Sequence, residues 1–264
     1  MSEGLARSAR LFRLFLREQT APALFYAAVA EDAVTQLAAY GDLAGKTVFD
    51  IGGGAGYFTA AFRARGADCY LFEPDPAELF SGSGTAEGPG TLEGTGTLEG
   101  PGTLEGPGTL EGTVLADGYW LPVRDGGADI CFSSNVLEHV ADPVGLIGEM
   151  VRATRPGGLI YLSFTNWYSL WGGHEMSPWH YLGPRFARRR YRRRHGREPK
   201  HEVGRTLYRL HVGPVLRLVR SMDGIEIVDA RPRYYPRWCR TVVRVPWLRE
   251  VLTWNLLLVL RRTA

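Results

Sequence analysis

Thr47-Val-Phe-Asp-Ile51 runs directly into Gly52-Gly-Gly-Ala-Gly56, and a helical stretch follows. A β-rich run, a turn made almost wholly of glycine and then a helix open a parallel α/β sheet. Glycine tolerates the tight turn and lets a ligand approach the backbone at the carboxyl end of the strand. The dinucleotide fingerprint G-x-G-x-x-G does not fit, because its sixth position is Tyr57 when counted from Gly52 and Thr59 when counted from Gly54. The pattern that does fit is D-x-G-x-G-x-G, carried by Asp50, Gly52, Gly54 and Gly56.

From Lys46 onward, short β-rich runs alternate with helical stretches, which predicts a mostly parallel sheet covered by helices on both faces. The expected strands lie near Thr47–Ile51, Asp68–Phe72, Thr113–Ala116, Ile130–Ser133, Leu159–Phe164, Ile225–Ala230 and Asn255–Leu260. With 264 residues, 45% of them hydrophobic, the chain can bury one full core and carry insertions. The expected division is an N-terminal helical segment, 1–45, followed by a catalytic domain, 46–264, with a cap insertion at 165–211. A second insertion is a hexapeptide repeat that begins Thr85-Ala-Glu-Gly-Pro-Gly90 and ends Thr109-Leu-Glu-Gly112. Four Leu and five Glu among so many Gly and Pro cannot build a core, so 85–112 reads as a flexible, functionally neutral loop.

Residues 5–17 place Leu5, Ala9, Phe12 and Leu16 on one helical face and Arg7, Arg10, Arg13 and Arg17 on another. Such a helix either docks on the core and covers a ligand or lies on a membrane surface. The apolar run Val251–Leu260 is interrupted by Asn255 and is far shorter than the roughly 20 residues that span a bilayer. No transmembrane helix or secretory signal is expected. The three cysteines, Cys69, Cys131 and Cys239, are isolated, which argues against a disulfide frame or a cysteine zinc site. A cytoplasmic location fits, with peripheral membrane contact as the alternative. The net charge of +3 hides an asymmetry: residues 1–180 carry 10 basic and 22 acidic side chains, a net of −12, and residues 181–264 carry 21 and 6, a net of +15.

The glycine loop resembles motif I of class I S-adenosylmethionine (SAM)-dependent methyltransferases. The resemblance continues in register through Leu71-Phe-Glu-Pro-Asp75, Leu115-Ala-Asp-Gly118, the run from Ala128 to Pro143, and Glu149-Met-Val-Arg-Ala-Thr-Arg-Pro-Gly-Gly-Leu159. Residues 46–165 are similar to the type 11 methyltransferase domain. The whole chain resembles actinobacterial, including mycobacterial, methyltransferases that share Gly172-Gly-His-Glu-Met176, His180-Tyr-Leu-Gly183 and Tyr235-Pro-Arg-Trp238. The resemblance implies a Rossmann-like seven-stranded sheet with an antiparallel last strand, and SAM as cofactor. It implies that the glycine loop packs on the methionine part of SAM, that Asp50 orients it, that Glu73 accepts from the ribose hydroxyls and that Asp117 accepts from the adenine amino group. The implied cofactor contacts are Asp50, Gly52, Gly53, Gly54, Gly56, Tyr57, Glu73, Asp117, Gly118 and Asn135.

The sulfonium already activates the methyl group, so such an enzyme mainly aligns a nucleophile and excludes water. An oxygen acceptor benefits from a base, and the catalytic candidates are His139, His174, Glu175 and His180. Glu138-His139 either faces the methyl group or orients the helix that follows. His174, Glu175 and His180, set among Trp167, Trp171 and Trp179, either line an acceptor pocket or pack the cap. No metal is expected. The E-x-x-E-H metal run of the resembling quinone O-methyltransferases has Asn135 at its first position, and H-E-x-x-H fails at Pro178. The Asn/Asp-Pro-Pro-aromatic motif of base methylation is replaced by Ser133-Ser-Asn-Val136, which argues against nucleic acid despite the run Arg185–Arg197. The leading expectation is O-methylation of a small-molecule, sugar or lipid-linked acceptor, anionic in one version. Its alternatives are an RNA or protein methyltransferase and a SAM-binding protein without catalysis.

Overall fold

The computed structural model describes residues 2–18, 20–79 and 112–263. The hexapeptide repeat, up to residue 111, lies outside the described residues, and with it the expectation of a flexible insertion. The chain runs α1 (Ser2–Phe15), α2 (Pro22–Ala38), β1 (Thr47–Ile51), α3 (Tyr57–Arg63), β2 (Asp68–Glu73), α4 (Pro76–Leu79) and β3 (Thr113–Leu115). It continues through β4 (Ala128–Ser134), α5 (Pro143–Ala153), β5 (Thr154–Thr165), α6 (Pro184–His195), α7 (Val212–Ser221), β6 (Ile225–Pro232), α8 (Pro246–Leu252) and β7 (Asn255–Arg262).

All seven expected strands form one sheet in the order β3-β2-β1-β4-β5-β7-β6. The strands are parallel except β7, which inserts antiparallel between β5 and β6. The run Asn255–Leu260 is apolar because both faces of this strand are covered. Leu256, Leu258 and Leu260 enter the core built with Leu146, Ile147 and Met150 of α5 and Val215, Leu216 and Val219 of α7. Leu257 and Val259 enter the opposite core with Ala33, Val34 and Leu37 of α2 and Phe62 of α3. Each such side chain contributes about 1.5–3 kcal/mol on leaving water, so a single strand knits the two layers together. Among the described residues, no helix is long and apolar enough to cross a membrane.

Local chemistry sets the helix starts. Pro22 opens α2, and Pro143 opens α5 behind Asp142, whose Oδ1 accepts from the Val144 N–H at 3.0 Å. The N-terminal helix forms, with a different buried face from the one its periodicity predicts. Leu11 is buried, with Leu14 and Phe15 beside it against Phe25 and Val29, while Leu5, Phe12 and Leu16 are exposed. The face is turned by Arg7, which was expected in solvent. Its guanidinium pairs with Asp32 of α2, Nη2 to Oδ2 at 2.7 Å, and donates to the carbonyl oxygens of Arg233 and Tyr235. A bidentate pair of this kind outweighs the exposure of one leucine stripe. Between β6 and β7 the chain adds a 3-10 segment, Arg237–Arg244, and the helix α8.

β1 lies between β2 and β4, so the chain departs in opposite directions on its two sides. The crevice beyond its carboxyl end is the topological switch point where ligands of open α/β sheets bind. Thr165 pairs with Asn255, and Pro232 with Leu256, so the end of β6 and the start of β7 reach the same edge.

Candidate active site

The loop after β1 is held down by its neighbours. The Gly52 N–H donates to the Phe72 carbonyl at 2.7 Å, and the Gly54 N–H donates to Glu73 Oε2 at 3.0 Å. Gly52, Gly54 and Gly56 have φ of 70°, 54° and 78°, a region that L side chains rarely adopt. A Cβ on Gly53 would stand 2.3 Å from Leu71 Cδ1 and 2.5 Å from Asp50 Oδ2, whereas a Cβ on Gly54 would meet nothing within 4 Å. The loop is closed beneath and open above.

Glu73 ends β2 as a buried carboxylate that also accepts from the Asp75 N–H, Oε1 at 3.1 Å. Burial raises its pKa, opposed by the two backbone donors. Asp50 sits deeper. Its Oδ2 accepts from Thr59 Oγ1 at 2.8 Å, and burial pushes its pKa up to about 7 against the bonds from Thr59. Asp50 therefore anchors the first turn of α3 under the glycine loop. Tyr57, in that turn, stacks on Tyr26 of α2 at 5.9 Å between ring centroids. Asp117 is exposed beyond β3, with Oδ1 accepting from the Tyr119 N–H at 3.0 Å. Gly118 leaves a Cβ only 2.8 Å from Leu146 Cδ1.

The carboxyl ends of β4 and β5 carry the second half. Asn135 has φ of 59°, and its Oδ1 accepts from Asn255 Nδ2 at 2.7 Å. Glu138 is 1% exposed; Oε1 accepts from the Thr165 N–H at 3.0 Å, and Oε2 is buried without a partner. Arg233, just past β6, is also 1% exposed. Its Nη1 donates to Ser134 Oγ at 2.7 Å and Ser163 Oγ at 2.9 Å, and its Nε and Nη2 are buried without partners. Beside Arg233, Tyr234 meets Trp254, which stacks on Trp171 at 4.2 Å between ring centroids, with Phe15 5.0 Å from Trp171.

Of the four catalytic candidates, His139 and His174 meet, with ring centroids 4.9 Å apart, and His201 completes a trio at 4.8 and 4.7 Å. Burial and the two neighbouring rings lower the His174 pKa to about 3. Glu175 is committed to His201. It accepts from the His201 backbone N–H at 2.7 Å and from His201 Nδ1 at 2.8 Å, and although burial raises its pKa, these bonds hold it down to about 2. His180 stands apart, with Nε2 at 3.0 Å from the Trp167 carbonyl and Nδ1 at 3.4 Å from Ser177 Oγ. Both of its ring nitrogens are committed. Sequence reasoning missed His201 and Arg233. His201 follows an arginine-rich helix with no motif around it, and the only hint of Arg233 is a cation at the end of a strand.

The family model described as a methyltransferase domain matches residues 22–200. The chain belongs to this methyltransferase family. It is 44% identical to an uncharacterized methyltransferase of Mycolicibacterium vanbaalenii over 97% of this chain and 94% of the relative. A Mycobacterium marinum methyltransferase is also 44% identical, over the same shares of the two chains. Among solved structures, the S-adenosylmethionine dependent methyltransferase of Mesorhizobium loti superposes with a TM-score of 0.53 at 22% identity, covering 88% of this chain and 98% of that one. That likeness shows the fold. The candidate site of this methyltransferase draws on two groups of residues, one of backbone N–H groups and carboxylates, the other of imidazoles, aromatic rings and a buried guanidinium.

Proposed function

We propose that this methyltransferase binds SAM over Gly52–Gly56 and methylates an acceptor oxygen presented beneath the cap, next to His139 and His174. The observation that carries the reading is the tie from Gly54 to Glu73 below open space at the switch point. The residues fit the cofactor. Each Glu73 oxygen spends one acceptor position on a backbone N–H and keeps another for a ribose hydroxyl. Arg233 keeps two N–H-bearing nitrogens free for the carboxylate at the amino-acid end. Bound SAM supplies a methyl group already activated by its sulfonium.

The chain's own part is to place and dry the acceptor. Trp171, Trp254 and Phe15 exclude water from the crevice. His139 and His174, with ring centroids 4.9 Å apart, offer imidazole contacts that orient an acceptor hydroxyl. An acceptor of small-molecule, sugar or lipid-linked type suits a site enclosed by a cap. The polymer-binding alternative is weakened at its own feature, because Arg188 pairs with Glu198 and Glu202 and Arg192 pairs with Glu198. The test is incubation with methyl-labelled SAM and cell extract separated into lipid, glycan, nucleic-acid and protein fractions. Label in the lipid, glycan or small-molecule fraction is expected, and label confined to nucleic acid or protein would overturn the acceptor assignment.

A further inference from the structure

We propose that His139, His174 and His201 form a binding site for one divalent first-row metal ion, zinc fitting best, with a fourth position open to an oxygen ligand. One ring nitrogen of each lies within 4.8 Å of the other two. The hydrogen bonds at the far sides of two rings decide which nitrogens these are. His139 Nδ1 lies 2.7 Å from the Thr206 carbonyl, which can only accept, so Nδ1 carries the proton and Nε2 a bare lone pair. His201 Nδ1 lies 2.8 Å from the Glu175 carboxylate, which fixes the same tautomer. His174 Nε2 is buried with no hydrogen-bond partner. His139 Nε2 and His201 Nε2 thus carry lone pairs and His174 Nε2 has no partner, in a trio whose ring nitrogens are close enough to surround one cation.

The carboxylate–histidine pair and the carbonyl–histidine pair are the outer contacts that orient imidazole ligands of zinc. At Zn–N distances of 2.0–2.1 Å a tetrahedral site sets its nitrogens about 3.3 Å apart, so the rings close by roughly 1.5 Å at most. Three imidazoles suit zinc, cobalt or nickel and disfavour magnesium and calcium, which take oxygen. Spacing along the chain cannot reveal such a site, because its ligands come from the turn after β4, from the cap and from the segment after α6. A metal here also staples the cap to the sheet. Use of the open position by the acceptor oxygen rests on the methyl-transfer reading; metal binding does not.

The full-length chain, stripped with a chelator, is titrated with Zn²⁺ against a chromophoric indicator, with metal content read by mass spectrometry and SAM binding by calorimetry. One equivalent of zinc is expected. His201→Ala and His174→Ala should each weaken it by about 100-fold or more, Glu175→Gln by about 10–100-fold, and the exposed control His195→Ala not at all. Zinc should raise the Tm of the wild type and of His195→Ala, and leave those of His174→Ala and His201→Ala unchanged. Co²⁺ should give the intense visible bands of a four-coordinate nitrogen and oxygen site, which requires no variant to fold. A Co²⁺ spectrum like that of the free ion, or zinc binding equal in wild type and a folded His139→Ala/His174→Ala/His201→Ala variant, would overturn the site. Zinc binding without SAM binding would remove the proposed function and leave the metal site standing.

Discussion

The two halves of the crevice are built on different principles. Around the glycine loop nearly every polar group is satisfied locally: Gly54 meets Glu73, Asp50 meets Thr59, and Gly52 meets Phe72, all within 23 residues of one another. Across the crevice the partners come from remote segments. Arg233 reaches Ser134, 99 residues away, and His139 reaches Thr206, 67 residues away. There the described residues also leave Glu138 Oε2, His174 Nε2 and two Arg233 nitrogens buried without partners. Buried polar atoms cost free energy unless something answers them. The first half is satisfied as it stands, and the second is where the proposed ligands would supply the missing partners.

The sharpest way to break this contrast is to test whether the satisfied half carries strain of its own. Asp50 is ionised at a cost, since its folded pKa is raised to about 7 from an unfolded value of about 3.9. The stability contributed by its protonated form is fully present below about pH 4 and is lost as pH rises to about 7. Asp50→Asn should therefore gain on the wild type across that window and plateau above it, by roughly 2–4 kcal/mol at most. Denaturant titrations at pH 4.5 and 8 measure this, and a pH-independent difference would show that Asp50 is not raised.

Next in size is Glu73→Ala, which should weaken SAM binding by about 1.5–3 kcal/mol, the value of hydrogen bonds to a charged acceptor. Zinc affinity should stay unchanged. Calorimetry on the folded variant decides, and full SAM affinity would dissolve the cradle assignment. Arg233→Met probes the other half. SAM affinity should fall about tenfold, with a stability loss of about 1–3 kcal/mol because the buried Ser134 and Ser163 hydroxyls lose their donor. A large loss of stability with SAM affinity intact would make Arg233 a structural post instead. The smallest effect is expected on α6. Neutralising Arg188, Arg189, Arg192 and Arg193 together should leave Tm and SAM binding unchanged, since exposed pairs are worth little. If the acceptor is anionic, its KM should rise and lose its salt dependence.

Much of this was legible in the chain. Strand positions followed from runs such as Thr47–Ile51 and Asn255–Leu260, since a strand covered on both faces leaves a continuous apolar record. The glycine loop was legible too, because a tight turn constrains residue types locally, whereas Glu73 was singled out by the family resemblance. The register of α1 was not. Leu5 and Leu16 have the spacing of a docking face, and only the presence of Asp32 on α2 explains why Arg7 turns inward instead.

The amino-acid order by itself determined the strand positions and the glycine turn, because these depend on periodicity and on short-range steric rules; the antiparallel seventh strand was implied by the family resemblance and is borne out by its pairing with β5 and β6. The tertiary structure alone decided that His180 is tied at both nitrogens, that Glu175 serves His201, and that His139, His174 and His201 share one point. Such groupings depend on where the cap folds back over the sheet. The distance between residues 139 and 201 in space has no counterpart in their separation along the chain.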